Sequence, residues 1–229
     1  MITRSFLLGI LVLTTVDLIH GQANRFDIGI EGGPSRTFLQ GNTLIDDLHE
    51  PTLGYSGGLF FQYSFRKVVS LRTKIAFERK GSVLHLPLVD IHGNLIDDVT
   101  TNANFNYLTI PLLLRATFGK KVQYFMNAGA YWGYLLKQTF VTKGSKLPET
   151  TSDNTALHKR SDMGISAGVG LALPIARDFL LSIEVRHNLG MYNISAVPVI
   201  NDGVIRTNST DLLLGFTYKF GQRALPTSE

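Results

Sequence analysis

Residues 162–175 read Asp-Met-Gly-Ile-Ser-Ala-Gly-Val-Gly-Leu-Ala-Leu-Pro-Ile, with an apolar side chain at every odd position. The even positions carry Asp162, Gly164, Ser166, Gly168, Gly170 and Ala172. A turn at Ala176-Arg177-Asp178 follows, and then Phe179, Leu181, Ile183 and Val185 alternate with Ser182, Glu184 and Arg186. Past a polar loop, Leu212, Leu214, Phe216, Tyr218 and Phe220 alternate with Asp211, Gly215, Thr217 and Lys219. A period of two, with grease on one face and Gly, Ser and charge on the other, marks a sheet whose faces meet different media.

The same unit recurs upstream. Strands are predicted at 26–38, 52–65, 68–82, 105–118 and 122–141, which with 163–175, a strand from 179 that includes His187, and 211–220 makes eight. Gly32-Gly33-Pro34 predicts a bend or bulge in the first strand, and Pro111, which cannot donate to a ladder, predicts irregular pairing in the fourth. Connections at 66–67, 119–121 and 176–178 are short, whereas those near 39–51, 83–104, 142–160 and 193–207 are long. The loop at 83–104 is apolar enough (Leu84, Leu86, Leu88, Val89, Ile91) to extend its strand pair past the membrane. Strict alternation of short and long, with both termini on the short side, is the pattern of a bacterial outer-membrane barrel. The fold class expected is therefore all-β, an eight-stranded antiparallel up-and-down transmembrane β-barrel. A soluble lipid-binding barrel would turn its apolar face inward. Its surface would also carry more Lys and Glu than the Gly- and Ser-rich face here.

Composition agrees. Charged residues make up 17% of the chain and mean hydropathy is +0.11, yet no central segment is a continuous apolar run long enough for a helical span. The net charge of +4 is not gathered with aromatics into a basic patch, which argues against nucleic acid as a partner. Cysteine is absent, which removes disulfides, zinc–thiolate sites and cysteine nucleophiles. Residues 1–21 read as a secretory signal peptide: Arg4 supplies the positive start, 6–13 the apolar stretch, and cleavage after Gly21 leaves Gln22 as the new N-terminus. Residues 22–229 are then the barrel domain.

Inward-facing ions form the candidate constellation: Glu31, Arg72, Lys74, Glu78, Arg115, Glu184, Arg186 and Lys219, with Asp27, Asp162 and Asp211 beside them. Two readings of them differ in function. A salt-bridged plug holds a narrow barrel shut, because an unpaired buried charge is costly; an ion path would use the same charges as its filter. An interior only as wide as its side chains favours the plug. On the outer face Trp132, Tyr134, Tyr218 and Phe220 are candidates for aromatic belts at the two membrane interfaces. Lys137 is assigned to the inward face of the fifth strand. His187 is the histidine expected within a strand, facing out near the loop rim, whereas His49, His85, His92 and His158 fall in loops. No nucleophile–base pair, GxSxG, HExxH or P-loop is present, so no catalytic, cofactor or metal site is assigned. Asp46-Asp47, Asp97-Asp98 and Asp153-Asn154 read as surface turns rather than calcium ligands. External loops are the expected surface for a protein or small-molecule ligand.

The mature chain also resembles the small outer-membrane β-barrel proteins of Bacteroidetes, the porin-family or PorT-like group. The resemblance rests on Ile28-Gly-Ile-Glu-Gly-Gly33, Tyr107-Leu-Thr-Ile-Pro-Leu-Leu-Leu-Arg115, Asn127-Ala-Gly-Ala-Tyr-Trp-Gly-Tyr-Leu135, Asp162-Met-Gly-Ile-Ser-Ala-Gly-Val-Gly170 and Glu184-Val-Arg-His-Asn-Leu-Gly190. It implies an eight-stranded barrel in the outer membrane. One branch of that group is tied to protein secretion, so the function classes carried forward are a loop-mediated binding platform, a small channel and a secretion-complex component. The barrel is expected to be a monomer in contact with outer-membrane lipid.

Overall fold

The structure, a computed structural model, describes residues 25–41, 46, 49–89, 92, 95–145, 148–199 and 203–220. The expected signal peptide lies outside the described residues. Among the described residues nine strands follow one another: β1 Arg25–Gln40, β2 His49–Ser64, β3 Val69–Val89, β4 Leu95–Phe118, β5 Gln123–Gly144, β6 Thr150–Asp153, β7 Ser161–Pro174, β8 Phe179–Gly190 and β9 Arg206–Phe220. Every pairing is antiparallel. β1 pairs with β9 as well as β2, and β4 pairs with β5, so eight strands close into a ring and β6 is an extra strand on β5. Closure leaves the ring without an edge and satisfies the backbone internally, the condition for crossing hydrocarbon with strands.

The period of two places the faces as the sequence requires. Leu59, Ile75, Leu112, Leu114, Ile165, Val169 and Leu214 are exposed on the outside. Glu31, Arg72, Asp162, Glu184, Arg186 and Asp211 are buried inside. This is inverted relative to a water-soluble barrel, and it is the arrangement lipid demands.

The expected extension of the strand pair at 83–104 is present and goes further than the base of a loop. β3 and β4 continue through most of 83–104, pairing from Val83↔Asn102 to Val89↔Leu95. β4 has 24 residues, more than twice the roughly 9–11 that a membrane crossing needs. β3, β4, β5 and β6 therefore stand as a sheet beyond the bilayer. Likewise 142–160 is not plain loop: it holds the end of β5, β6 and a 3-10 turn at Thr155–Leu157. Because β2 and β3 reach so far, His49 and His85 lie in strands as well as His187.

The local irregularities expected from the sequence are met in part. At Gly32-Gly33-Pro34 the register is the same on either side and no residue is inserted, but the ladder to β9 lapses at Gly33 and Pro34. At Pro111 the expected irregular pairing is present: the ladder to β3 lapses across Ile110 and Pro111 without a change of register. The shift in β4–β5 lies higher, between Asn106 and Tyr107, where Leu136 of β5 is the extra residue. An extra residue moves everything after it to the opposite face. Gln138 is thus inside rather than Lys137, whose side chain is 56% exposed, while Leu135, before the bulge, keeps the inward face of Tyr131 and Gly133. The inward assignment of Lys137 was wrong for that reason. On the short-turn side Gly119 takes φ 95°, a left-handed conformation that favours glycine, to turn β4 into β5.

The facing scheme makes a measurable prediction. Leu214→Arg, on the lipid face, should cost about 2–4 kcal/mol if it sits near the midplane. Thr217→Arg points into an open part of the lumen and should cost less. Urea titration of the barrel refolded in lipid vesicles measures both, and equal costs would contradict the assignment.

Candidate functional site

From the short-turn end upward the lumen is built in layers. The lowest closed layer is a ring of ions. Glu31 on β1 accepts from Arg72 of β3, from Lys74 at 3.1 Å and from Nη1 of Arg186 at 2.9 Å. Glu184 on β8 accepts from Arg186 Nε at 2.7 Å, from Arg115 Nη2 of β4 at 3.2 Å and from Asn127 Nδ2 of β5 at 2.8 Å. Arg186, 1% exposed, spans both carboxylates and ties β1, β3, β4 and β5 to β8 across the bore.

Two phenyl rings complete this layer, and the sequence reading passed over both. Phe60 lies under the Arg72 guanidinium at 3.4 Å and Phe125 under that of Arg115 at 3.8 Å. Each ring occupies space left by a glycine on the neighbouring strand. A Cβ on Gly29 would sit 2.5 Å from the Phe60 ring, and one on Gly170 would sit 2.5 Å from the Phe125 ring. The available signal was two aromatic residues at inward parity, each opposite an inward glycine. Stacked and desolvated, such cation–π pairs contribute up to about 2 kcal/mol each.

Higher up, acids outnumber cations. Glu78, Asp211, Asn188 and Ser209 share hydrogen bonds, with Asn188 Nδ2 donating to Asp211 at 2.9 Å and Glu78 at 3.3 Å. Above them Lys80 is fully buried between Asp162 (3.2 Å) and Glu78 (3.8 Å), over the Tyr131 ring at 4.5 Å. Thr207 donates to Asp162 at 2.7 Å. Between the two layers, next to Lys74, Glu78, Tyr131 and Arg186, a void of about 10 Å³ remains, the size of a single water position.

The loop end of the lumen is apolar, which the polar-lumen expectation missed. Leu39, Ala103, Phe105, Tyr107, Leu135 and Ile194 form a buried cluster there. Ile194 comes from the β8–β9 connection, which folds inward. Lys159 N donates to Ile194 O at 2.7 Å, Ala196 N to Leu157 O at 3.0 Å, and Arg160 Nη1 to the carbonyls of Leu135 and Leu136 at 3.1 and 3.2 Å. The two loops thus lock to each other and to the Leu136 bulge. His158 presses edge-on against Phe105 with ring centroids 5.0 Å apart, and its Nδ1 is 3.1 Å from Asn154 O.

The remaining predicted residues fall as follows. Lys219 lines the lumen at the short-turn end, half-buried. Tyr218 and Phe220 belong to a run of outward rings at that end with Phe26, Tyr63, Phe65 and Phe179. Trp132 and Tyr134 pack on each other at 6.2 Å toward the loop end. From Tyr124 to Tyr134 the strand rises about 33 Å, or about 25 Å along the axis at a tilt near 40°, which matches the apolar band of an outer-membrane barrel. Immediately above, Arg79, Asn106 and Lys137 form one polar row in register on the outside. His187 faces out and pairs with Thr210 Oγ1 at 2.9 Å. Asp97 Oδ1 accepts from the Asp98 and Ser145 backbones, and Asp153 from Thr155. The Asp153 contact forms a turn as expected, whereas Asp97 lies buried in β4 and its bond to Ser145 N joins β4 to the end of β5, which corrects the surface-turn reading of Asp97-Asp98. The described part of Asp46-Asp47, Asp46, accepts from Gly41 N at 2.9 Å, and Asp47 lies outside the described residues.

A closed ring of eight strands, apolar outside and ion-filled within, defines a transmembrane β-barrel. The chain belongs to the family described as outer membrane protein beta-barrel domain, whose model matches residues 20–195, and it is a bacterial outer-membrane protein. Solved structures similar to it include Neisserial surface protein A, with 12% identity over 85% of this chain and 97% of that one (TM-score 0.46). The attachment invasion locus protein Ail of Yersinia pestis, solved with the heparin analogue sucrose octasulfate, shows 15% identity over 85% and 99% (TM-score 0.42). The outer membrane protein OprG of Pseudomonas aeruginosa shows 14% over 88% and 99% (TM-score 0.40). No curated protein matches the chain.

Two outcomes follow from this geometry. Glu31→Gln leaves Arg72, Lys74 and Arg186 sharing one carboxylate fewer and should destabilise the barrel by about 3–5 kcal/mol, read by urea titration in vesicles. At the loop end, burial holds the His158 pKa below the ordinary imidazole value, against a smaller upward pull from its bond to Asn154. The folded cap therefore takes up a proton less readily than the open one. Its stability is full above the ordinary value, about 6.5, and falls as pH drops through it. Amide-exchange protection at Lys159 and Ala196 should decline from pH 7.5 to 5, and His158→Phe should abolish that decline.

Proposed function

We propose that this protein is a monomeric, non-catalytic barrel with a closed lumen, working as a binding platform through the sheet and loops it raises outside the membrane. The observation that carries the reading is the double closure of the bore. A cross-lumen ion ring blocks it at mid-depth, and an apolar cap centred on Ile194 blocks it at the loop end. The same residues argue against the small-channel reading, since an ion would have to displace charges already engaged with one another. The extended β3–β4–β5–β6 sheet supports the platform, offering exposed Leu88 and Ile96 beside Thr100, Thr101 and Thr142 for a protein or small-molecule ligand. The narrower resemblance to the Bacteroidetes porin-like group, and removal of residues 1–21 on export, are part of this proposal.

Planar-bilayer recording of the refolded mature protein tests it. The expected trace is silent although the protein is inserted. Steady, ion-selective openings that change on Arg115→Gln would overturn the reading. A role in a secretion assembly, through the short turns, would also be silent, and crosslinking followed by co-purification distinguishes it.

A further inference from the structure

Below Arg72 and Arg115 the lumen opens toward the short turns as a cavity of about 200 Å³. Its floor is the two guanidiniums, its wall carries Arg25 and Lys219, and Arg66 and Lys67 stand at its rim on the β2–β3 turn. Asp27 is the carboxylate in the lining, and it is already engaged by Arg25 at 2.9 Å and Gln62 at 3.0 Å. Deeper in, Glu31 and Glu184 are divided among Arg72, Lys74, Arg115 and Arg186. Cations thus exceed carboxylates throughout this half of the barrel. A low-dielectric tube closed at one end focuses that positive field on its mouth.

Donors remain for a ligand. Arg115 uses Nε on Asn127 and Nη2 on Glu184, which leaves the Nη1 protons of a five-donor fork. Ser64, Ser70 and Thr117 add hydroxyls to the wall. Guanidinium forks match planar or tetrahedral oxyanions. Donors arriving from floor, wall and rim favour a group with oxygens on several sides and more than one negative charge, which is phosphate rather than carboxylate. The volume suits phosphate or a small phosphoester and is below the 300–1,000 Å³ of drug-sized ligand sites.

We infer that this vestibule binds a phosphate group from the periplasmic side, either the free ion or the head group of an inner-leaflet phospholipid. The inference goes beyond the closed-lumen platform and does not depend on it, since a barrel found to conduct could still hold phosphate here.

Isothermal titration calorimetry of the full mature barrel in uncharged maltoside micelles tests it, with sodium phosphate in one arm and glycerol 3-phosphate in the other, at 50 mM NaCl. One saturable site is expected, weakened at least tenfold by Lys67→Ala with Lys219→Gln. Tighter binding of glycerol 3-phosphate assigns the head group as the source, and equal or weaker binding assigns the free ion. If the double variant does not fold, Lys67→Ala alone and an increase to 500 mM NaCl must each weaken binding. No saturable heat in either arm, or an affinity indifferent to both the substitutions and salt, overturns the proposal.

Discussion

An eight-stranded ring leaves an interior about as wide as the side chains that fill it, so every ion placed there must find a partner within the ring. That constraint explains why Arg186 can satisfy Glu31 and Glu184 at once, and why neighbouring inward positions shrink to glycine. Gly29 with Phe60 and Gly170 with Phe125 are the same device used twice: a missing side chain admits a ring, and the ring covers a guanidinium. Without cysteine the chain has no covalent staple, and the network does the cross-linking across the bore that disulfides do in other exported folds.

The interior is graded along its axis. Arginines dominate toward the short turns, carboxylates around Lys80 dominate above, and the loop end is apolar. The grading divides possible roles. The basic end is open and suited to an anion, the middle is closed, and the loop end is sealed by two connections that fold into the bore. What remains available outside is the sheet that β3, β4, β5 and β6 raise beyond the Arg79–Asn106–Lys137 row.

Much of this could be read from the sequence because a period of two admits few interpretations. Leu212 to Phe220 and Met163 to Ile175 fix which face meets lipid, and the alternation of short and long connections fixes which end bears the loops. The reading failed where a single residue changed the count. Leu136 reverses the face of everything after it on β5, and no side chain announces a bulge, so Lys137 was placed inside. Strand length was legible in part: the apolar residues of 83–104 signalled a strand pair running past the membrane, but not how far it runs. The segment 83–104 lacks strict alternation because, above the bilayer, both faces of the hairpin meet similar surroundings. The inward Phe60 and Phe125 were hidden because they break the polar-face pattern, and their partners, Gly29 and Gly170, are distant in sequence. The cap around Ile194 depends on long-range contacts between two loops that carry no periodic signal.

The central claim is that the cross-lumen ion ring holds the barrel together and shut. A double-mutant cycle with Glu31→Gln and Arg186→Met, followed by urea unfolding in vesicles, tests it most directly, because these residues sit on strands separated by β9. A coupling energy of at least about 1.5 kcal/mol, as close desolvated charge pairs show, is the predicted result. Additive effects, with coupling within about 0.5 kcal/mol of zero, would mean that the two ions do not act on each other and would contradict the account.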